Sequence, residues 1–260
     1  MKETGILVVS FGTSYPDTRK KTLDGIENAF REEFGESAVY RAYTSGMIIS
    51  KIKKTENLHI DNVTEALEKM KAEGFRRILV QPTHIINGQE FEKMKDMLEP
   101  FRESFESIVV GKPLLTDSED YNNLVNVIID DMDEIADNEV VILMGHGTGH
   151  FIDVAYAALD YRFKAEGDDR IFVATVEGYP SLEDIEEKLN ERKADKVRLI
   201  PLMVVAGDHA ANDMAGDEDS WKTKLEADGY RVDCVMKGLG EYEGIRKMYI
   251  QHLKDAMNPR

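Results

Sequence analysis

Short β-branched runs alternate with segments of helical spacing from one end of this 260-residue chain to the other. Strand candidates cover 6–10, 38–44, 77–82 and 107–114, and a second set covers 140–144, 170–176, 196–205 and 230–237. Between them, Leu23, Ile26, Phe30 and Phe34 share a helical face that Gly35 stops. Val63, Ala66, Leu67 and Met70 share another, begun by Asp61 and stopped by Gly74. Phe91, Met94, Leu98, Phe101 and Phe105 form a third, and Leu182, Ile185 and Leu189 follow the cap candidate Ser181. Further helices are expected over 119–136 and 244–257. This alternation means βαβ units and parallel sheets, with right-handed crossovers placing helices on both sheet faces.

The alternation also repeats itself. Ser10-Phe11-Gly12-Thr13 ends the first strand and Gly145-His146-Gly147-Thr148 ends the fifth, with Gly12 and Gly147 135 positions apart. Thr44-Ser45-Gly46 matches Val176-Glu177-Gly178 at an offset of 132, and Pro82 and Gly88 match Pro201 and Gly207 at 119. The drift is what loop insertions produce. The reading is an α/β protein of two similar halves, 1–136 and 137–260, each a four-stranded parallel sheet flanked by helices.

Open parallel sheets bind ligands beyond the carboxyl ends of their strands, and all the matched segments sit there. In the first half they offer Phe11, Ser45 and Glu90; at the corresponding places the second half offers His146, Glu177 and His209. Two imidazoles and a carboxylate suit a borderline divalent metal, and the same groups accept protons near neutral pH. Each has a plainer role. Glu177 is an ordinary strand-end carboxylate if its loop points to water. His209 bonds Asp208 or Asp213 if it only starts a helix. His150 fits a supporting place in the loop, His252 the surface of a helix, and His84 the lining of a cleft. His146, between two glycines that permit close backbone approach, has the strongest functional case.

Other chemistries fit poorly. Gly145-His146-Gly147 begins like a dinucleotide fingerprint, but His150 stands at the third glycine position and no phosphate-loop lysine follows. No Gly-x-Ser-x-Gly elbow occurs. With 33 basic and 50 acidic residues the net charge is −17, which disfavours nucleic acid and anionic lipid as partners. The single cysteine, Cys234, rules out an intrachain disulfide and a cysteine-based zinc site. The apolar run at the N-terminus is too short for a signal-peptide core and no later run approaches a membrane span. The expected location is cytoplasmic.

The segments Ile6–Ser14, Met144–Thr148, Val176–Gly178 and Pro201–Met214, with Gln81-Pro82-Thr83-His84-Ile85-Ile86-Asn87-Gly88, resemble the class II tetrapyrrole chelatases. Within that family the similarity is to the anaerobic sirohydrochlorin cobalt chelatases of cobalamin biosynthesis, over essentially the whole chain. The resemblance implies two pseudo-symmetric domains with an active-site cleft between them and a last helix that packs back on the first. It implies sirohydrochlorin and a divalent metal as the partners, Co2+ first and Fe2+ or Ni2+ as alternatives, with no cofactor beyond that substrate metal. His146, Glu177 and His209 would bind the metal, and His146, His209 and Glu90 would be catalytic. Ser10, Thr13, Tyr15 and Gly88 are candidates for contacting the substrate carboxylates. A homo-oligomer is left open. The rival readings are a metal or tetrapyrrole carrier and a metal-dependent hydrolase using His146, His150 and a carboxylate.

Overall fold

All eight expected strands form, in two four-stranded parallel sheets of one shared topology. The computed structural model describes residues 2–35, 37–166 and 168–258. Met1, Pro259 and Arg260, at the ends of the two expected halves, lie outside the described residues, as do Glu36 and Gly167 within them.

The chain divides into two units, one of Met1–Thr116 with Glu243–Arg260 and one of Asp117–Tyr242. The first contains β1 (Lys2–Ser10), α1 (Pro16–Lys21), α2 (Leu23–Phe34), β2 (Ala38–Tyr43), α3 (Gly46–Glu56), α4 (Val63–Ala72), β3 (Phe75–Pro82), α5 (Gln89–Leu98) and β4 (Ser107–Val110). Its strands run in the order β2-β1-β3-β4, with Ile6 in register with Val39 on one side and Leu79 on the other. Leu7, Val9 and Val80 on one sheet face pack with Leu67, Met70 and Met94 from the helices, all essentially out of water. The third helix is shorter than its apolar spacing suggests. Pro100 has no N–H to give, and Glu99–Ser104 tightens into a 3₁₀ stretch.

The second unit contains α6 (Ser118–Asp131), β5 (Glu139–Gly145), α7 (Val154–Glu166), β6 (Ile171–Thr175), α8 (Leu182–Arg192), β7 (Lys196–Pro201), α9 (Trp221–Ala227) and β8 (Arg231–Cys234), in the order β6-β5-β7-β8. Every residue of β5 is buried, as expected of a central parallel strand covered on both faces. Ile142, Met144 and Leu199 pack with Ile185, Leu189 and Trp221.

The division falls at Thr116 and Asp117 rather than at 136. Asp117 caps α6, accepting from the backbone N–H of Glu119 (3.1 Å) and Asp120 (3.3 Å). The helix then buries Leu124, Val125 and Ile128 and lies against α7, so it belongs to the second unit. The last helix, α10 (Glu243–Met257), is part of the first unit, where Ile245, Tyr249 and Leu253 are fully buried. His252, expected on a helix surface, is 5% exposed, and its Nδ1 lies 3.3 Å from the Lys112 carbonyl. Sequence spacing alone does not reveal that α10 is covered on that side. No helix of the described residues is long and apolar enough to cross a membrane.

Candidate active site

In this strand order the chain passes from the first strand to one side and then crosses back to the other, so the switch point lies beyond the carboxyl ends of β1 and β3 in one unit and of β5 and β7 in the other, where open parallel sheets bind their ligands. The turn at that end requires a left-handed backbone in both units: Gly12 has φ +104° and Gly147 has φ +81°. A Cβ on Gly147 would stand 2.4 Å from the Gly178 nitrogen, so the loops after β5 and β6 touch backbone to backbone. Val176 N–H donates to the Gly145 carbonyl (3.1 Å) and Glu177 N–H to the His146 carbonyl (2.9 Å). Asp153 ties the same two loops, accepting from Thr148 N–H at 2.9 Å and Tyr179 N–H at 2.6 Å. Sequence does not single out Asp153, because an aspartate six residues beyond a glycine turn carries no spacing signal of its own.

The chain leaves β7 alongside β5, with Leu202 N–H donating to the Met144 carbonyl (2.8 Å). It then enters a π-helical turn, Ala210–Met214, just before which stands His209. Wide turns of this kind recur at functional sites. Here the turn brings the His209 ring to His146: the centroids are 4.5 Å apart and the planes are at 87°. His146 Nδ1 is 2.8 Å from the Gly147 carbonyl oxygen, and His209 Nδ1 is 2.7 Å from Asp213 Oδ2. Neither a carbonyl nor a carboxylate can donate, so both Nδ1 atoms carry the proton. In the neutral ring each Nε2 then keeps its lone pair for another ligand. Both rings are half-buried and the Glu177 side chain is exposed.

His150 has the supporting place. Its Nδ1 accepts from Ile152 N–H at 3.4 Å, and its ring lies against Phe151. In the first unit, Glu90 stands in the first turn of α5, where its carboxylate accepts from Lys93 (2.6 Å) and from the Thr44 hydroxyl (3.4 Å). Gly88 is buried at the N-cap of that helix. Ser10 and Thr13 are each only 3% exposed. Ser10 accepts from the Thr83 hydroxyl (2.9 Å), and Thr13 accepts from Tyr15 N–H (3.2 Å), so these hydroxyls organise the loop from inside. The Tyr15 ring faces Lys51 Nζ, 5.8 Å from its centroid. His84 has both ring nitrogens buried without a hydrogen-bond partner among the described residues. Burial lowers its pKa to about 4, against the opposing charge of Glu90.

Among the described residues, the three-donor set already within 4.8 Å is His59, Asp61 and Glu65, in the first unit. Its groups have local employment. Glu65 Oε2 accepts from Asn62 N–H (2.8 Å) in the capping box of α4, His59 Nε2 faces Asp61 at 3.0 Å, and Asp61 faces Lys69 at 3.8 Å.

The family model described as cobalt chelatase (CbiK) matches residues 4–258. The chain is 39% identical over 254 residues to a sirohydrochlorin cobaltochelatase of Salmonella typhimurium, covering 97% of this chain and 96% of that one. It is 33% identical over 262 residues to the sirohydrochlorin cobaltochelatase CbiKC of Nitratidesulfovibrio vulgaris, covering 99% and 92%. The fold is shared with SirB from Bacillus subtilis, solved with Fe3+, at a TM-score of 0.67 and 12% identity over 99% of this chain and 96% of that one. A match that runs through both repeated sheets, at this identity, leaves one conclusion: the chain belongs to the CbiK family of cobalt chelatases.

Proposed function

We propose that this protein inserts Co2+ into sirohydrochlorin, with release of two protons. The observation that carries the reading is the facing pair His146 and His209, each fixed at Nδ1 and each offering Nε2. The sirohydrochlorin cobaltochelatases it resembles over nearly their whole lengths supply the substrate and the metal.

Insertion exchanges one divalent cation for two pyrrolic protons. An Nε2 lone pair binds a metal or a proton, but not both together. The two imidazoles therefore hold the ion first. As the pyrrolic nitrogens take it over, the freed Nε2 atoms accept the two displaced protons. Glu177, whose backbone is fixed to the His146 loop, balances the charge of the ion while it is held. Two neutral nitrogens and one exposed carboxylate leave coordination positions open, which a site that must surrender its metal requires. No oxidation and no nucleotide hydrolysis enters the balance.

The test is anaerobic mixing of purified protein with sirohydrochlorin and, in separate runs, Co2+, Fe2+ and Ni2+, followed by the absorption of the macrocycle. Cobalt insertion should be fastest, and His146→Ala should abolish it without loss of fold. Full activity in that variant removes the mechanism. A faster iron or nickel reaction reassigns the metal. Stoichiometric binding without turnover makes the protein a carrier.

A further inference from the structure

We infer that Asp213 is a positioning residue for metal transfer: its carboxylate sets the tautomer and donor strength of His209, making His209 the stronger metal holder of the pair and His146 the weaker. The inference rests on the proposed metal-binding role of the two histidines and deepens it.

The two rings are held in the same way but by unlike partners. His146 donates its Nδ1–H to a neutral main-chain carbonyl, that of Gly147, whereas His209 donates to a full carboxylate. A carboxylate behind an imidazole fixes the ring and pushes electron density toward the opposite nitrogen, and its loss typically costs 10–100-fold in metal affinity. A carbonyl fixes the tautomer with less charge behind it.

The placement of Asp213 is built into the backbone. His209 stands just before the π turn and Asp213 lies within it, and the turn is closed by Ala215 N–H donating to the Ala210 carbonyl at 3.2 Å. Ala210 and Met214, beside the two residues, are fully buried and anchor the turn in the core. The exit is equally constrained. A Cβ on Gly216 would stand 2.4 Å from the Asn212 carbonyl oxygen, so the chain passes its own turn at a distance only glycine allows. The His209–Asp213 contact is thus held from both ends, while its side chains stay about half exposed, open to an arriving ion.

This asymmetry gives transfer an order. The ion leaves His146 first and His209 last, so the metal keeps one protein ligand until the macrocycle has engaged it.

Titration of the macrocycle-free protein with Co2+, read by the visible ligand-field absorption of the bound ion, tests the inference. Asp213→Ala should weaken Co2+ binding 10–100-fold and raise the KM for Co2+ by a similar factor, while the KM for sirohydrochlorin stays unchanged. Asp213→Asn keeps the volume and offers a neutral oxygen acceptor like the one behind His146. It should fall between wild type and the alanine variant, and it serves if alanine disturbs the turn. His146→Ala should weaken Co2+ binding less than His209→Ala. Co2+ affinity within about twofold of wild type in both Asp213 variants, with His209→Ala still losing it, overturns the inference and leaves the metal-binding role intact. Undiminished Co2+ binding in His209→Ala overturns that role itself.

Discussion

The Tyr249 hydroxyl donates to the Thr83 carbonyl at 2.7 Å, joining the last helix of the chain to the end of β3 across 166 positions of sequence. Tyr249 is fully buried. Tyr249→Phe keeps the ring and removes the donor, leaving a carbonyl that has been withdrawn from water. The expected loss is about 1–3 kcal/mol of stability. Urea unfolding at neutral pH checks it; an unchanged midpoint would show that the carbonyl is satisfied without the tyrosine.

Gly147→Ala should damage site and fold together. The left-handed φ of +81° strains any side chain, and the added Cβ meets the Gly178 backbone at 2.4 Å. The loops bearing His146 and Glu177 must separate. Displacement of reacting groups by about 1 Å can cost on the order of 100-fold in rate, and a non-glycine residue held there costs roughly 1–3 kcal/mol. Insertion rate and melting temperature should both fall. Gly12→Ala in the first unit, where the Cβ meets the Tyr43 ring at 2.5 Å, should lower the melting temperature as well.

His84 makes stability depend on pH. Burial depresses its folded pKa to about 4, from an ordinary value of 6.5. Between those values the unfolded chain binds a proton that the folded chain does not, so stability falls as pH is lowered through the window and is fully present above 6.5. At a pH of about 4 this one group costs about 3 kcal/mol. His84→Leu should flatten the dependence between pH 6.5 and 4 relative to wild type. It should also stabilise the protein at neutral pH by removing two buried nitrogens that have no partner among the described residues. Parallel urea midpoints for the two proteins across that range decide the point.

Much of this architecture is legible in the residues, and its gaps have physical causes. β5 announces itself because a strand buried on both faces is a continuous apolar run, Val140 to Met144. The turns at Gly12 and Gly147 are legible because a left-handed backbone selects glycine. Helix α7 is not legible as a helix. Val154 and Tyr161 are exposed while Ala155, Leu159 and Phe163 are buried, so apolar residues surround it and no periodic face stands out. Helix α3 is hidden for a related reason: Met47 is exposed, and among its described residues Ile52 is the buried one. The pair His146 and His209 is readable from strand ends and the internal repeat. That Ser10 and Thr13 turn inward is not, because a hydroxyl serves loop and ligand equally well until its neighbours are known. The contact of His209 with Asp213 is visible in the residues as one option of two; the π turn that selects it depends on tertiary anchoring.

Arg198 and Glu139 supply the sharpest stability test in the second unit. Glu139 is 2% exposed and begins β5; Arg198 lies on the neighbouring β7. The guanidinium donates from Nε (2.9 Å) and Nη2 (2.8 Å) to the two carboxylate oxygens. It also donates to the carbonyls of Asp133 (3.1 Å) and Glu134 (3.2 Å), in the segment entering β5. Burial raises the carboxyl's proton affinity, but Arg198, the Ala136 N–H and Lys196 together outweigh it and hold the pKa below the usual value of 4.5. A depressed carboxyl stabilises the fold above its unfolded value, and that contribution is lost as pH falls through the folded one. Arg198→Met strands the carboxylate with Ala136 N–H and Lys196, and should cost about 3 kcal/mol near neutral pH. The cost should shrink below pH 4.5, where the stranded group can protonate. Adding Glu139→Gln to that variant removes the buried charge that has lost its guanidinium and should recover part of the loss. Equal destabilisation at neutral pH and at a pH of about 4, or no recovery in the double variant, would mean that Arg198 acts through its packing and its carbonyl contacts rather than through this pair.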